Sequence, residues 1–315
     1  LLETKTNEMM QLQQERLVLI NKIRDLNEQH ANLFNTEEAN DGEVYDVLWL
    51  STEMFASGGS DKRVRLWRVD HPVSILCCQS TLVGCNHSVT RLDFDPESRL
   101  LLGASNDNGV RLWNVDNQRL MTSFMGHTDK VSSARFLSST QVVSGSNDRL
   151  IKIWDVRSQR CIRSVFPGST ILDITGIKKG VATFTSGHFD RKLRFWDSCF
   201  STFLVEKLIV YHLFCIDGIH LLCSTRDDTL SLLDVRKYQT VHIYSAEHYR
   251  TSTDLSRCVL SPLMAYCAAG FTFSFPMLKY ITLPFSRHAV FSLNWNPSGH
   301  GLLSADKQKT VCFWK

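Results

Sequence analysis

Apolar and polar residues alternate in short runs along most of the chain. Val64-Arg65-Leu66-Trp67, Val110-Arg111-Leu112-Trp113 and Leu193-Arg194-Phe195-Trp196 point one side chain into a packed layer and the next away from it. A period of two is that of a β-strand. Clusters of Gly, Ser, Asn and Asp come before these runs and supply tight turns. Other β-rich runs lie between them: Val89-Thr90-Arg91-Leu92-Asp93-Phe94, the turn Asp95-Pro96-Glu97-Ser98, then Leu100-Leu101-Leu102. The pattern predicts units of four short strands. Only the N-terminal segment has a different period. Leu12, Leu19, Leu26 and Leu33 fall one heptad apart, with Met9, Arg16, Ile23 and His30 at the companion positions. That spacing predicts a short helix or coiled-coil segment over residues 1–30.

The strand units repeat one phrase. It reads Gly58-Gly59-Ser60-Asp61 with Val64 to Trp67, then Ala104-Ser105-Asn106-Asp107 with Arg111-Leu112-Trp113. It returns as Ser144-Gly145-Ser146-Asn147-Asp148 with Ile153-Trp154-Asp155, and as Ser186-Gly187-His188-Phe189-Asp190 with Phe195-Trp196-Asp197. A fifth copy has Leu233 where Trp would stand, and the last closes on Phe313-Trp314. The period of roughly 37–46 residues and the Trp-Asp dipeptides are those of WD repeats. About two periods separate Leu233 from Trp314, so a degenerate copy is expected near Ala268-Ala269-Gly270. The expected fold is all-β, a seven-bladed WD-repeat β-propeller over residues 31–315 preceded by the helical segment. A lone four-stranded blade leaves both faces exposed, whereas a closed ring buries them. Ala31-Asn32-Leu33-Phe34 is expected to close the ring as the outer strand of the last blade.

Charge and composition narrow the chemistry. The formal net charge of +3 is spread over isolated Lys and Arg residues with no dense basic block, which argues against nucleic acid as a partner. Ten cysteines without CxxC pairs or regular spacing read as reduced, mostly buried thiols of a cytoplasmic protein. Between Val259 and Phe285 the only charge is Lys279, a stretch long enough to cross a bilayer. Pro262, Pro276 and Pro284 and the spacing of Phe271, Phe273 and Phe275 fit edge strands and turns better. No metal cluster or phosphate loop stands out, and no cofactor is expected.

His127, Ser144, Asp148 and Trp154 stand at offsets that bring them together in one blade. Asp148 is expected to accept from His127, which bridges through Ser144 to the indole N–H of Trp154. Partial versions are expected at His87 with Asp107 and Trp113, and at Asp41 with Ser57, Asp61 and Trp67. The same residue types suggest a serine hydrolase. Recurrence in successive blades favours a structural cluster, since an enzyme needs one active site, and Ser144 lacks the strand-to-helix elbow of a nucleophile.

Three phrases resemble the WD-repeat domain of the autophagy-related protein 16-like family. They are Ala104-Ser105-Asn106-Asp107 with Arg111-Leu112-Trp113, Val142 to Arg149, and Thr185 to Asp197, of which Ser186-Gly187-His188-Phe189-Asp190 is the most specific. The resemblance implies a non-catalytic scaffold that joins a coiled coil to a C-terminal seven-bladed propeller. It also implies bridging of the autophagy-related 12–5 conjugate to membranes, directing lipidation of ubiquitin-like autophagy proteins. The implied partners are this conjugation machinery and peptide-motif clients, with peripheral recruitment to autophagosome precursor membranes and self-association through residues 9–33. Family members carry an N-terminal segment that binds the autophagy-related 5 partner. None is recognised here, so this chain is not expected to assemble the lipidation complex alone.

Partners are expected on the rim, at the residue before each turn Asp: Ser60, Asn106, Asn147, Phe189 and Arg226. Phe189 stands out as a large apolar group at an exposed position, and aromatic and Arg side chains are what interface hot spots use. A rival reading takes Trp154-Asp155-Val156-Arg157 as a WDxR phrase docking a cullin-type ubiquitin ligase.

Overall fold

The computed structural model describes residues 35–36, 40–70, 75–177, 184–196, 202–206, 210–215, 217–245, 249, 251, 256–262, 267–270, 289–299 and 301–314. The expected helix over 1–30 and the Phe271, Phe273 and Phe275 run lie outside them. No helix of the described residues is long and apolar enough to cross a membrane.

The described residues are all-β. Five consecutive four-stranded antiparallel meanders span 44–82, 89–125, 131–165, 171–206 and 210–244. A two-stranded sheet follows, Cys258–Leu260 with Cys267–Ala269. The sixth four-stranded sheet joins Val290–Trp295, Leu302–Asp306 and Val311–Trp314 to Asn35–Thr36. Asn35 pairs with Cys312 and Thr36 with Val311, so the start of the ring is held to its end. Asn35–Thr36 thus forms the described part of the outer strand, next to the expected segment Ala31 to Phe34, which lies outside the described residues.

Apolar clusters between neighbouring sheets show why the ring forms. Ala56, Val64 and Leu66 of one sheet pack with Val89, Leu92, Leu101 and Trp113 of the next. Val143, Ile151 and Ile153 meet Ile171, Ile174, Phe184 and Trp196. Leu222 and Leu230 meet Cys258 and Leu260, while Val259 and Ala268 meet Val290, Leu293 and Leu302. Val44, Val47 and Phe55 then close onto Leu303, Val311 and Phe313. Each large apolar side chain so buried contributes about 1.5–3 kcal/mol. The chain is therefore a β-propeller whose blades are stable only against their neighbours.

The cysteines depart from expectation. Of the described thiols, all free, Cys223, Cys258 and Cys267 are buried, Cys85, Cys215 and Cys312 are half-buried, and Cys77, Cys78 and Cys161 are exposed. The exposed three lie on the outermost strands, which have one face to solvent.

Candidate functional site

In the first four four-stranded sheets, the turn between the second and third strands is built around an Asp. Asp61, Asp107, Asp148 and Asp190 accept through Oδ1 from the backbone N–H two residues on, at 3.3, 3.2, 2.8 and 3.2 Å. The residue between, Lys62, Asn108, Arg149 or Arg191, is left-handed with φ of 65–68°. That conformation costs a non-glycine residue about 1–2 kcal/mol, which the Asp hydrogen bond offsets.

In the 131–165 sheet the structure brings the four predicted residues together. His127 Nδ1 lies 2.8 Å from Asp148 Oδ2 and its Nε2 lies 2.8 Å from Ser144 Oγ, which accepts from Trp154 Nε1 at 2.8 Å. Burial is the largest influence on the His127 imidazole and lowers its pKa despite Asp148, so the ring stands neutral. Burial pushes the Asp148 carboxyl up, but hydrogen bonds from Thr128 N–H, His127 and Leu150 N–H outweigh it and hold the group below its ordinary value. Ser144 is fully buried and its oxygen is engaged by an indole and an imidazole. No substrate carbonyl can reach it, and the cluster works as a brace.

The partial versions differ from expectation. In the 44–82 sheet, Asn40 rather than Asp41 fills the His position: Ser57 Oγ donates to Asn40 Oδ1 at 2.8 Å and accepts from Trp67 Nε1 at 2.8 Å. Asp41 instead pairs with Arg65 at 2.7 Å. In the 89–125 sheet the serine position is Gly103, so no hydroxyl links the group. His87 bonds Ser88, Asp107 accepts from Asn86 N–H, and Trp113 Nε1 donates to the Val83 carbonyl at 2.9 Å. A Cβ on Gly103 would lie 2.6 Å from the Trp113 ring, so a serine there would force the indole to shift.

Sequence reasoning missed other members of these clusters. His188, two residues after Ser186, reaches back to it at 2.7 Å while Trp196 Nε1 donates to the same oxygen at 2.7 Å. Burial, with Arg194 adding to it, pushes His188 down to about 4. In the 210–244 sheet the cluster is lost: Cys223 stands at the serine position and Leu233 replaces Trp, while on the other face the Tyr249 hydroxyl meets Ser224 Oγ at 3.1 Å. Arg65, Arg111 and Arg194 each grip the Asp four residues earlier. The Asp-x-x-x-Arg-x-Trp spacing was a readable signal. Only Asp148 has Lys152 at that place, and it turns to His127 instead.

The five predicted partner residues all lie at these turns. Asn147, Phe189 and Arg226 are exposed, and Ser60 and Asn106 are half-exposed. Phe189 is 58% exposed, and its turn is fastened to the preceding connection by Phe189 N–H to Thr170 O at 3.1 Å and Asp190 N–H to Ser169 Oγ at 3.1 Å. Phe166, in the same connection, is 62% exposed, with the Arg149 guanidinium 5.9 Å from its ring centre. Among the described residues no group of three or more His, Cys, Asp or Glu is placed to hold a metal ion.

A second polar assembly lines the axis of the ring. Six innermost strands carry a β-bulge near their start, and the residue just after it is Asp46, Arg91, Ser133, Asp173, His212 or Ser292. All six are buried, as is Arg257 just before Cys258–Leu260. These side chains stitch blade to blade. Asp46 accepts from Leu92 N–H at 2.6 Å, Asp173 from Leu213 N–H at 2.9 Å, His212 Nδ1 from Cys258 N–H at 3.0 Å, and Ser292 Oγ from Val47 N–H at 3.2 Å. Arg91 pairs with Asp173 at 2.8 Å, and Arg257 pairs with Asp46. Burial raises the Asp173 carboxyl, but Arg91, His212 and Arg135 outweigh it and hold the group well below the usual carboxylate range.

Comparison with known proteins agrees with this geometry. The profile of the WD domain, G-beta repeat family matches residues 32–68, 76–114, 118–155 and 279–315. Autophagic-related protein 16.2 of Caenorhabditis elegans is 47% identical over 292 residues, 87% of this chain and 54% of that protein. Autophagy-related protein 16 of Arabidopsis thaliana is 28% identical over 90% of this chain and 57% of its own length. The chain spans about half the length of these relatives. The crystal structure of the WD40 β-propeller domain of Doa1 superposes with a TM-score of 0.71 at 16% identity, covering 89% of this chain and 97% of that one, a likeness of fold alone. On these matches, and on the repeated Asp turns that the quoted phrases encode, the chain is similar to the WD-repeat part of autophagy-related protein 16-like proteins.

Proposed function

We propose that this chain is the partner-docking part of a non-catalytic autophagy adaptor. Its ring is seven-bladed, with residues 31–315 as the propeller and 1–30 as a helical or coiled-coil segment through which copies associate. Two observations support seven blades. The two-stranded sheet at 258–269 occupies a blade's place between its neighbours, and about two repeat periods separate Leu233 from Trp314. The adaptor gathers the autophagy conjugation machinery and peptide-motif clients, and partners recruit it from the cytoplasm to autophagosome precursor membranes.

The observation that carries the docking role is Phe189, an exposed aromatic residue on a turn whose backbone is fixed at both ends. A rigid, solvated aromatic group needs little ordering on binding and removes a large apolar area from water. Asn147 and Arg226, at the same turn of the two neighbouring blades, and Asn106 and Ser60, further round the ring, are its polar companions. The test is rescue in cells lacking the endogenous homologue, scoring recruitment to autophagosome precursors and lipidation of the ubiquitin-like protein. The wild-type chain, joined to the conjugate-binding segment of a relative, is expected to restore both. Phe189→Ala is expected to keep the wild-type melting temperature and lose most of the recruitment. Failure of the wild-type chain would sink the autophagy reading, and full rescue by Phe189→Ala would remove Phe189 from the docking surface.

A further inference from the structure

Phe189 shares its footing with a second exposed aromatic residue. Phe166 lies in the connection that leads into the same blade, and four hydrogen bonds tie this connection to the Phe189 turn and the strands beside it. Phe189 N–H donates to Thr170 O and Asp190 N–H to Ser169 Oγ, both at 3.1 Å. Arg194 Nη2 donates to Pro167 O at 3.1 Å, and His188 Nδ1 to Ser169 O at 3.4 Å. The two rings, of Phe189 and Phe166, are 58% and 62% exposed and stand on one rigid platform. The charge around them is one-sided. Residues 147–152 and 189–194 carry five Lys or Arg against Asp148 and Asp190, and the connection 166–170 carries no charge. Both carboxylates are spent, Asp148 on His127 at 2.8 Å and Asp190 on Arg194 at 2.7 Å. Arg149 and Arg191, at the left-handed apex of each turn, are exposed and form no ion pair among the described residues. Arg149 lies instead 5.9 Å from the centre of the Phe166 ring. The surplus is local. On one side Asp129 offsets Lys130, and on the other Asp227 and Asp228 outnumber Arg226.

We propose that the partner held at Phe189 is a short acidic peptide segment carrying a large apolar side chain. Its apolar group lies against Phe166 and Phe189, and its Asp or Glu carboxylates meet Arg149 and Arg191. This rests on the docking role of Phe189 and adds the chemistry of the partner. Burial of the apolar contact supplies affinity, while opposite charge speeds encounter and disfavours basic competitors. A guanidinium meets a carboxylate through two parallel N–H donors, and Arg149 and Arg191 have no carboxylate of their own to give up. A bilayer is the poorer fit. It would press on the whole face of the ring, including Asp227 and Asp228, whereas a short segment covers the positive patch alone.

The test is selection of short random peptides displayed on phage against the whole chain, followed by fluorescence anisotropy of the enriched peptides. They are expected to carry Asp or Glu beside an aromatic or large aliphatic residue, and to bind more weakly as sodium chloride rises from about 0.05 to about 0.5 M. Arg149→Glu combined with Arg191→Glu is expected to weaken binding at least about tenfold, and Phe166→Ala to weaken it severalfold. The turns close through backbone groups, Arg149 N–H to Ser146 O at 3.2 Å and Arg191 N–H to His188 O at 3.3 Å, so the double variant should melt with the wild type. Enriched peptides without acidic residues, undiminished binding by the double variant, or no enrichment at all would overturn the proposal. So would binding to phosphatidylserine vesicles that the double variant loses while no acidic peptide binds. In the cell rescue assay, recruitment lost in Phe189→Ala but kept by the double variant would leave the docking role standing and overturn the acidic partner alone.

Discussion

Replacing Asp148 with Ala isolates the brace of the best-formed blade. The carboxylate accepts from His127 Nδ1 at 2.8 Å, Thr128 N–H at 3.0 Å and Leu150 N–H at 2.8 Å, with its side chain 3% exposed. Thr128 is exposed, so water can replace its lost acceptor. His127 has a side chain only 1% exposed and is left with an unmatched ring nitrogen, at about 1–3 kcal/mol. Arg149, at φ 67°, also loses the turn that holds it, adding about 1 kcal/mol. The sum is about 2–4 kcal/mol, and with about 2–4 °C per kcal/mol in a domain of this size the melting temperature should fall by about 4–16 °C. Urea unfolding followed by circular dichroism should show a lower midpoint at an unchanged slope. Asp107→Ala provides the comparison. It leaves Arg111, with a side chain 4% exposed, without the carboxylate that holds two of its nitrogens at 2.6 and 2.7 Å. A buried cation stripped of its partner costs about 3–5 kcal/mol. Asp107→Ala should therefore be the more damaging. A shift under about 1 °C for Asp148→Ala, or the reverse order of the two variants, would refute the reasoning.

Acid should weaken the ring through its buried histidines. Each of His127, His188 and His212 has a folded pKa below its unfolded value of 6.5, so the unfolded chain binds more protons and stability is lost as pH falls below about 6.5. His188, pushed down to about 4, should account for on the order of 3 kcal/mol of that loss by pH 4, measurable as a falling urea midpoint between pH 7 and 4.5 that flattens in His188→Gln. Gly103→Ser restores the residue type of the other blades but should lower stability by about 1–3 kcal/mol, because the new Cβ collides with Trp113; a stabilised variant in thermal melts would show that the indole can move aside. Asp46→Asn should cost about 3–5 kcal/mol by leaving Arg257 without its countercharge, and the loss should shrink when Arg257→Met is added, as a double-mutant cycle would show.

The repeated phrase, the two-residue period and the spacing of Trp67, Trp113, Trp154 and Trp196 were enough to read an all-β ring of repeats, because turn chemistry and strand alternation are local properties of the chain. The brace of His127, Ser144, Asp148 and Trp154 was legible for the same reason, since its members fall at fixed offsets within one meander. Local offsets were also misleading. Asp41 resembles a cluster member, but the ring entry places Asn40 against Ser57, and Gly103 silently removes the link that His87 would need. The contact of Tyr249 with Ser224, made from outside the sheet, has no sequence signal.

The axial residues lie wholly beyond the reach of local pattern. Asp46, Arg91, Asp173 and Arg257 come from separate blades and look like ordinary polar residues beside strands. Alternation along each strand determined which side chains turn inward and where the chain reverses. Only closure of the ring decided which charges meet, because Arg257 and Asp46 are brought together by blades far apart in sequence and nearly opposite ends of the chain. Ion pairing depends on distance in space and on exclusion of water, and both are set by the packing of whole sheets.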